Sequence, residues 1–196
     1  MLCTVLFLLN TLTKVDFFDI ILVDDLKGVI MREFNEISPQ EIENAIKLIG
    51  TDWMLITASD GEKVNTMTAS WGCLGVLWNK NVCIAFIRPQ RYTYEFAEKA
   101  SHMSFSFFTE EYREALRFCG TKSGRDVDKF RETGLSVSYD GDVPIIDQAK
   151  LVLVCKKLYS DDLKEENFII PELLKNYEKK DFHRFYICEI EKVLTK

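Results

Sequence analysis

The sequence predicts a mainly β domain: an antiparallel barrel with short helices inserted between its strands. Three observations predict it. Five or six runs of apolar and β-branched residues have strand length and are bounded by turn residues. Short helical patterns fall between them without the regular alternation of a doubly wound sheet. From residue 31 to 196 no internal repeat or low-complexity linker divides the chain. Apolar residues make up 47% of the 196 and charged residues 29%, enough to fill a core and too apolar for global disorder.

The first thirty residues stand apart from this pattern. The apolar run Leu2–Leu9 has no Lys or Arg before it, and Asn10 ends it well short of the roughly 20 apolar residues that cross a bilayer. Neither a secretory signal nor a membrane span is predicted. Residues 1–30 are read as an extension outside the domain, upstream of a native start near Met31, with a genuine leader or anchor as the rival reading, and residues 31–196 as the domain.

The domain opens with a helix signal. Ser38 is an N-cap, Pro39 occupies the first helical position, and Glu41 completes a capping box. Ile42, Ala45, Ile46 and Ile49 make one apolar stripe, and Gly50 ends it. Trp53–Ala58 is a strand, Ser59–Glu62 a hairpin turn, and Val64–Gly72 a second strand. Leu74–Leu77 is apolar, Asn79–Asn81 turns, and Val82–Ile87 is a buried strand closed by Arg88-Pro89-Gln90. A helix over Thr93–Ala100 precedes a strand over Met103–Phe108. Helices over Glu110–Phe118 and Val127–Glu132 follow, the second stopped by Gly134. Ala149–Tyr159 is a long strand. Asp161–Lys180 is polar, with room for a helix on either side of Pro171. Phe182–Leu194 is the last strand, with a change of face near Glu189.

Charge and cysteine usage exclude several functions. With 25 Lys and Arg against 31 Asp and Glu, the chain carries −6 and lacks the positive field of a nucleic-acid binder. Its six Cys form no C-x-x-C pair, and its two His exclude a His-rich metal centre, so no metal is expected. Reduced thiols in a cytoplasmic protein are the simplest reading, with Cys73, Cys83 and Cys119 as core residues and not nucleophiles.

Four segments carry candidate chemistry. Asn65–Gly72 (NTMTASWG) is rich in small side chains that let a flat ligand approach the backbone. Arg88–Tyr94 (RPQRYTY) places two Arg and a Thr where a strand gives way to a helix, an arrangement suited to phosphate. Cys119–Asp126 (CGTKSGRD) gathers two Gly, two hydroxyls and two cations, but lacks the G-x-x-x-x-G-K-[ST] spacing of a nucleoside triphosphatase. Asp181–Arg184 (DFHR) offers a histidine able to handle protons near neutral pH. Each segment also has an ordinary structural reading as a solvated strand end or turn.

Taken in order, NTMTASWG, RPQRYTYEF, CGTKSGRDVDKF and HRFYICEI resemble the flavin reductase-like, FMN-binding split-barrel family, most closely its flavoredoxin-like branch. Cys188 departs from that branch, which often has Gly at this position. The resemblance implies a six-stranded antiparallel Greek-key split barrel that forms a homodimer with FMN near the subunit interface. FAD is the alternative flavin. It implies that Thr66, Thr68, Ala69, Ser70 and Trp71 line the flavin ring and ribityl chain. Arg88, Arg91 and Thr93 would hold the phosphate, and Lys122, Ser123 and Gly124 would close over the cofactor. His183 would stand as a catalytic residue where the electron donor approaches. The implied function is an FMN-dependent oxidoreductase using NAD(P)H. The alternatives are a flavoredoxin-like electron carrier reduced by a redox protein partner, and a flavin-binding module without turnover. No G-x-G-x-x-G motif is present, so a nicotinamide would have to stack directly on the flavin.

Overall fold

The computed structural model describes residues 34–196, so the extension and the start at Met31 lie outside the described residues. The strands are β1 (Asn35–Ile37), β2 (Met54–Ser59), β3 (Val64–Ala69), β4 (Gly72–Leu77), β5 (Lys80–Ile87), β6 (His102–Phe107), β7 (Val137–Asp140), β8 (Val143–Ile146), β9 (Leu151–Asp162) and β10 (Arg184–Thr195). The helices are α1 (Ala45–Lys47), α2 (Tyr92–Lys99), α3 (Arg113–Thr121) and α4 (Lys129–Thr133). One sheet runs β3-β2-β6-β9-β10-β5-β4, with β1 added to β10, and β7 pairs separately with β8. Every pairing is antiparallel. The fold is a split barrel: the six expected strands are β2, β3, β5, β6, β9 and β10, and β4 and β1 extend the sheet. Among the described residues no helix is long and apolar enough to cross a membrane.

The central strands are apolar on both faces because both faces are covered. Along β2, Met54 and Ile56 enter one cluster while Leu55 enters another, and on β9 Leu153 is divided from Val152 and Val154 in the same way. The period of two in a strand makes this partition automatic. The first cluster fills the barrel with Phe105, Phe107 and Tyr186 and takes in Phe96 and Ala97 of α2. The second lies under Leu116 and Cys119 of α3 and under the β7–β8 hairpin. The sequence reading did not find that hairpin. Its turn centres on Gly141 at φ +59°.

Three elements differ from expectation. The first helix is broken. The capping box forms, with the Ser38 amide donating to Glu41 Oε2 at 2.8 Å, but only a 3-10 turn over Pro39–Glu41 follows. Asn44 then adopts a left-handed conformation at φ 47°, and its side chain accepts from the Lys47 amide to start α1 afresh. The break rotates Ile46 out to 89% exposure while Leu48 and Ile49 stay buried. The second strand stops at Ala69, and β4 begins at Gly72. The next turn lies at Trp78–Asn79, both with positive φ as a two-residue hairpin demands. The expected change of face on the last strand is present as register shifts at Ile187/Cys188 and Ile190/Lys192. Cys188 is buried opposite Cys83, and its side chain packs into the barrel. Cys73 is exposed, because β4 is an edge strand.

Leu153→Ala is expected to cost about 2–5 kcal/mol, since it empties part of the fully buried barrel core. Asn44→Ala is expected to cost about 1 kcal/mol through loss of the cap and of left-handed tolerance. Urea denaturation of both variants checks the ranking, and a larger loss at Asn44 would contradict it.

Candidate functional site

Strand register gathers the candidate segments at one end of the barrel. Arg184 of β10 pairs with Ile87 of β5, so His183 and Arg88 leave the sheet side by side. Gly72 of β4 pairs with Ala85 of β5, which brings the start of β4 to the same end. Ser70 and Trp71 link β3 to β4, the two edges of the sheet path, which do not hydrogen-bond to each other. Gly72 permits the crossing: a Cβ there would lie 2.9 Å from the Ile84 carbonyl oxygen.

Two cavities adjoin at this end and share Met67, Arg88 and Arg91. The first, about 450 Å³, is cationic. Gln90, Thr93, Lys122, Ser123, Gly124 and Lys129 complete much of its wall. Arg91 donates to the Gly120 carbonyl at 2.6 Å and forms no ion pair with a described carboxylate. Burial, helped by Arg88 nearby, lowers its pKa from the usual arginine range. Arg88 is tied differently. It donates to Asp181 Oδ2 at 2.6 Å and to the Asn176 carbonyl at 2.9 Å, and lies over the Tyr177 ring. Burial opposes ionisation of Asp181, but hydrogen bonds from Arg88 and Gln90 outweigh it and hold the carboxyl below its usual range.

The loop after α3 is pressed onto this cleft. Asn65 donates to Thr93 Oγ1 at 2.8 Å, a buried bond joining β3 to α2. Gly124 packs on that pair so closely that a Cβ would lie 2.1 Å from Asn65 Oδ1 and 3.1 Å from the Tyr92 ring. Only glycine allows this approach. Ser123 Oγ accepts from the Arg125 amide at 3.2 Å, and Arg125 pairs with Glu95 across the loop.

The second cavity, about 240 Å³, is flatter in chemistry. Thr68, Ala69, Ser70, Trp71, Phe86 and His183 line it. The Thr68 hydroxyl donates to the Leu116 carbonyl at 2.5 Å, which pins β3 to α3. The Trp71 ring is 47% exposed and stands 5.1 Å from the His183 ring. His183 Nδ1 shares a hydrogen bond of 2.8 Å with the Tyr177 hydroxyl. Burial first, then the charges of Arg88 and Arg91, push its pKa down to about 4 against the opposing pull of Asp181. The imidazole is therefore neutral at pH 7.

The structure brings eleven of the twelve expected positions to the walls of these cavities: Thr68, Ala69, Ser70, Trp71 and His183 at one end, Thr93, Lys122, Ser123 and Gly124 at the other, and Arg88 and Arg91 between them. Arg88 also borders both cavities but arrives with its charge matched by Asp181. Thr66 lines neither. Its hydroxyl is buried against Thr57 Oγ1 at 3.0 Å and the Ile56 carbonyl at 3.1 Å. Sequence reasoning passed over Lys129 and Tyr177. Lys129 is 5% exposed and donates to the Thr66 and Cys119 carbonyls, both at 2.8 Å. A short polar helix carries no signal that one of its lysines turns inward.

Comparison with known proteins bears on the family and the fold. The flavin reductase like domain matches residues 46–195. A search of curated proteins returns no significant match. Among solved structures, flavoredoxin from Methanosarcina acetivorans superposes with a TM-score of 0.58 at 22% identity, covering 74% of this chain and 68% of that one. An FMN-binding protein from Thermus thermophilus with bound p-hydroxybenzaldehyde gives 0.59 at 20% identity, covering 84% and 82%. The NADH:FAD oxidoreductase SgcE6 of Streptomyces globisporus gives 0.57 at 14% identity, covering 74% and 75%. At these identities the structures establish a shared fold, and the domain match over residues 46–195 establishes that the chain belongs to the flavin reductase-like family.

Proposed function

We propose that the chain is an FMN-dependent oxidoreductase that binds the flavin along the two adjoining cavities. The observation that carries this reading is their opposite chemistry. One end holds cations without carboxylate partners, as a phosphate monoester requires. The other offers small side chains and an aromatic ring, as a flat heterocycle requires. Arg91 and Lys122 would bind the phosphate, assisted by the Thr93 hydroxyl. Arg88 would contribute through whatever capacity Asp181 leaves it. Thr68, Ala69, Ser70 and Trp71 would border the ring.

Bound FMN supplies the redox chemistry, accepting electrons in pairs or singly. The protein positions it and limits the proton inventory around it. A neutral His183, oriented by Tyr177, can present one ring nitrogen to the ring end without adding charge there. Electron donation from NAD(P)H requires close stacking on the flavin and no strong acid or base. Exposed Ile46, Trp71, Val76 and Trp78, on and around β4, support a second copy of the chain as the cover of this edge. Free thiols at all five described cysteines support a reducing, cytoplasmic setting.

Arg91→Ala is expected to weaken FMN binding roughly 10- to 100-fold and riboflavin binding little, since a charge-assisted phosphate contact is lost. Fluorescence titration with both flavins reads this, and an unchanged FMN affinity would remove Arg91 from the site. Anaerobic mixing of the FMN-loaded protein with NADH and NADPH identifies the donor. Bleaching of the flavin band by either supports the enzyme, whereas bleaching only by a reduced iron–sulfur protein makes it an electron carrier. His183 is expected to titrate near pH 4 in the flavin-free protein. A nitrogen-15 NMR titration checks it, and a midpoint near 6.5 would mean the imidazole is open to water.

A further inference from the structure

Tyr177 ends a 3-10 helix over Pro171–Tyr177 and stands six residues before His183. Its ring is 5% exposed and held on several sides. Phe182 stacks on it at 4.8 Å, Phe168 meets it at 5.7 Å, and the Arg88 guanidinium lies 5.2 Å from its centroid. Its hydroxyl has one partner among the described residues, His183 Nδ1 at 2.8 Å. The imidazole also lies beside Trp71, with ring centroids 5.1 Å apart, and beside Phe86, 6.3 Å away and edge-on. Trp71, Phe86 and His183 line the ring-end cavity, and Tyr177 does not. His183 therefore spends Nδ1 on Tyr177. Nε2, without a partner among the described residues, is the nitrogen left to the cavity.

The direction of the Tyr177–His183 bond decides where the imidazole proton sits. Burial keeps His183 neutral at pH 7, so one of its nitrogens carries a proton and the other accepts. Burial also raises the pKa of Tyr177, Arg88 opposing and Asp181 adding to the shift, so the phenol keeps its proton too. Were Nδ1 the protonated nitrogen, it would donate to the phenol oxygen. The phenolic O–H would then have no described acceptor in a buried site, and a hydrogen bond left unmade there is costly. With the phenol as donor, Nδ1 accepts and both protons are used, one in the buried bond and one on Nε2 at the cavity.

We propose that Tyr177 is a positioning residue: its hydroxyl locks His183 as the neutral Nε2–H tautomer, and so presents to the ring-end cavity a hydrogen-bond donor suited to a carbonyl oxygen of the bound ring. The tautomer is a property of the chain without flavin, and only the identity of the ligand rests on the FMN reading above. A neutral imidazole with its proton on Nε2 is a donor at that atom and not a base. Arg88, Asp181 and Arg91 are the charged groups that bear on the imidazole, and with burial they leave it uncharged near neutral pH.

Nitrogen-15 NMR of the full chain at pH 7 tests this, first without flavin. The chain has two histidines, and His102→Gln assigns their signals. His183 is expected to show a protonated Nε2 and a bare Nδ1, told apart by their couplings to the ring hydrogens. Tyr177→Phe keeps the stacked ring and removes only the hydroxyl. It is expected to lose the fixed pattern, the two nitrogen shifts moving toward each other as the tautomers mix. A wild type with its proton on Nδ1 overturns the inference. So does a variant with an unchanged pattern, which is what a merely structural Tyr177 would give. If Tyr177→Phe does not fold, the wild type decides through the Tyr177 hydroxyl proton, which is expected to exchange slowly and to couple to Nδ1; a hydroxyl that exchanges freely with water overturns the lock. FMN is then added, and the Nε2–H proton is expected to move downfield. FMN that binds without moving it overturns the carbonyl contact. Failure of FMN to bind overturns the flavin reading, while the flavin-free spectra still decide the tautomer.

Discussion

The gap between β3 and β4 is the constraint on which the site depends. These strands are neighbours in sequence and the two ends of one sheet path, and no ladder joins them. A barrel closed by hydrogen bonds would have no edges and no opening here. Two residues, Ser70 and Trp71, span the gap, held on one side by Ala69 opposite Met54 and on the other by Gly72 against β5. Gly72 must be glycine because β4 passes so close to the Ile84 carbonyl. The opening therefore comes with a small, polar backbone segment at its lip and an exposed indole beside it, before any ligand is considered.

Charge around the opening is arranged unevenly. Asp181 matches Arg88, and Glu95 matches Arg125, whereas Arg91 makes only a carbonyl contact and Lys129 only carbonyl contacts. The unmatched cations lie at one end and the neutral imidazole at the other. This polarity orients an amphipathic anion without a strong acid or base near its ring. On the proposed reading the flavin supplies the redox chemistry, and no nucleophile–base constellation is needed.

Much of this was legible in the sequence for physical reasons. Strands buried on one or both faces leave apolar runs, and β2, β5, β6, β9 and β10 all do so. Gly134 stops α4 in a left-handed conformation, as a glycine past the last helical residue should. The candidate segments stood out as a set because Gly, Thr and Arg gather at strand ends, although each segment alone also has an ordinary structural use. What was illegible depended on tertiary contacts. The helix beginning at Ser38 breaks because Asn44 caps a new turn, a choice its local pattern does not reveal. The β7–β8 hairpin owes its place to the apolar face under it. The inward turn of Lys129 and the hold of Asp181 on Arg88 join residues 10 to 93 positions apart. Thr66 sits one residue from a cavity wall, and strand alternation turns its side chain inward.

The most direct test of the central claim is a crystal structure of the chain grown with FMN. The account predicts the phosphate within hydrogen-bond distance of Arg91 and Lys122, and the ring resting against Thr68–Trp71 in the opening between β3 and β4. Flavin bound elsewhere, or lying in the opening with its phosphate turned away from those cations, would contradict it.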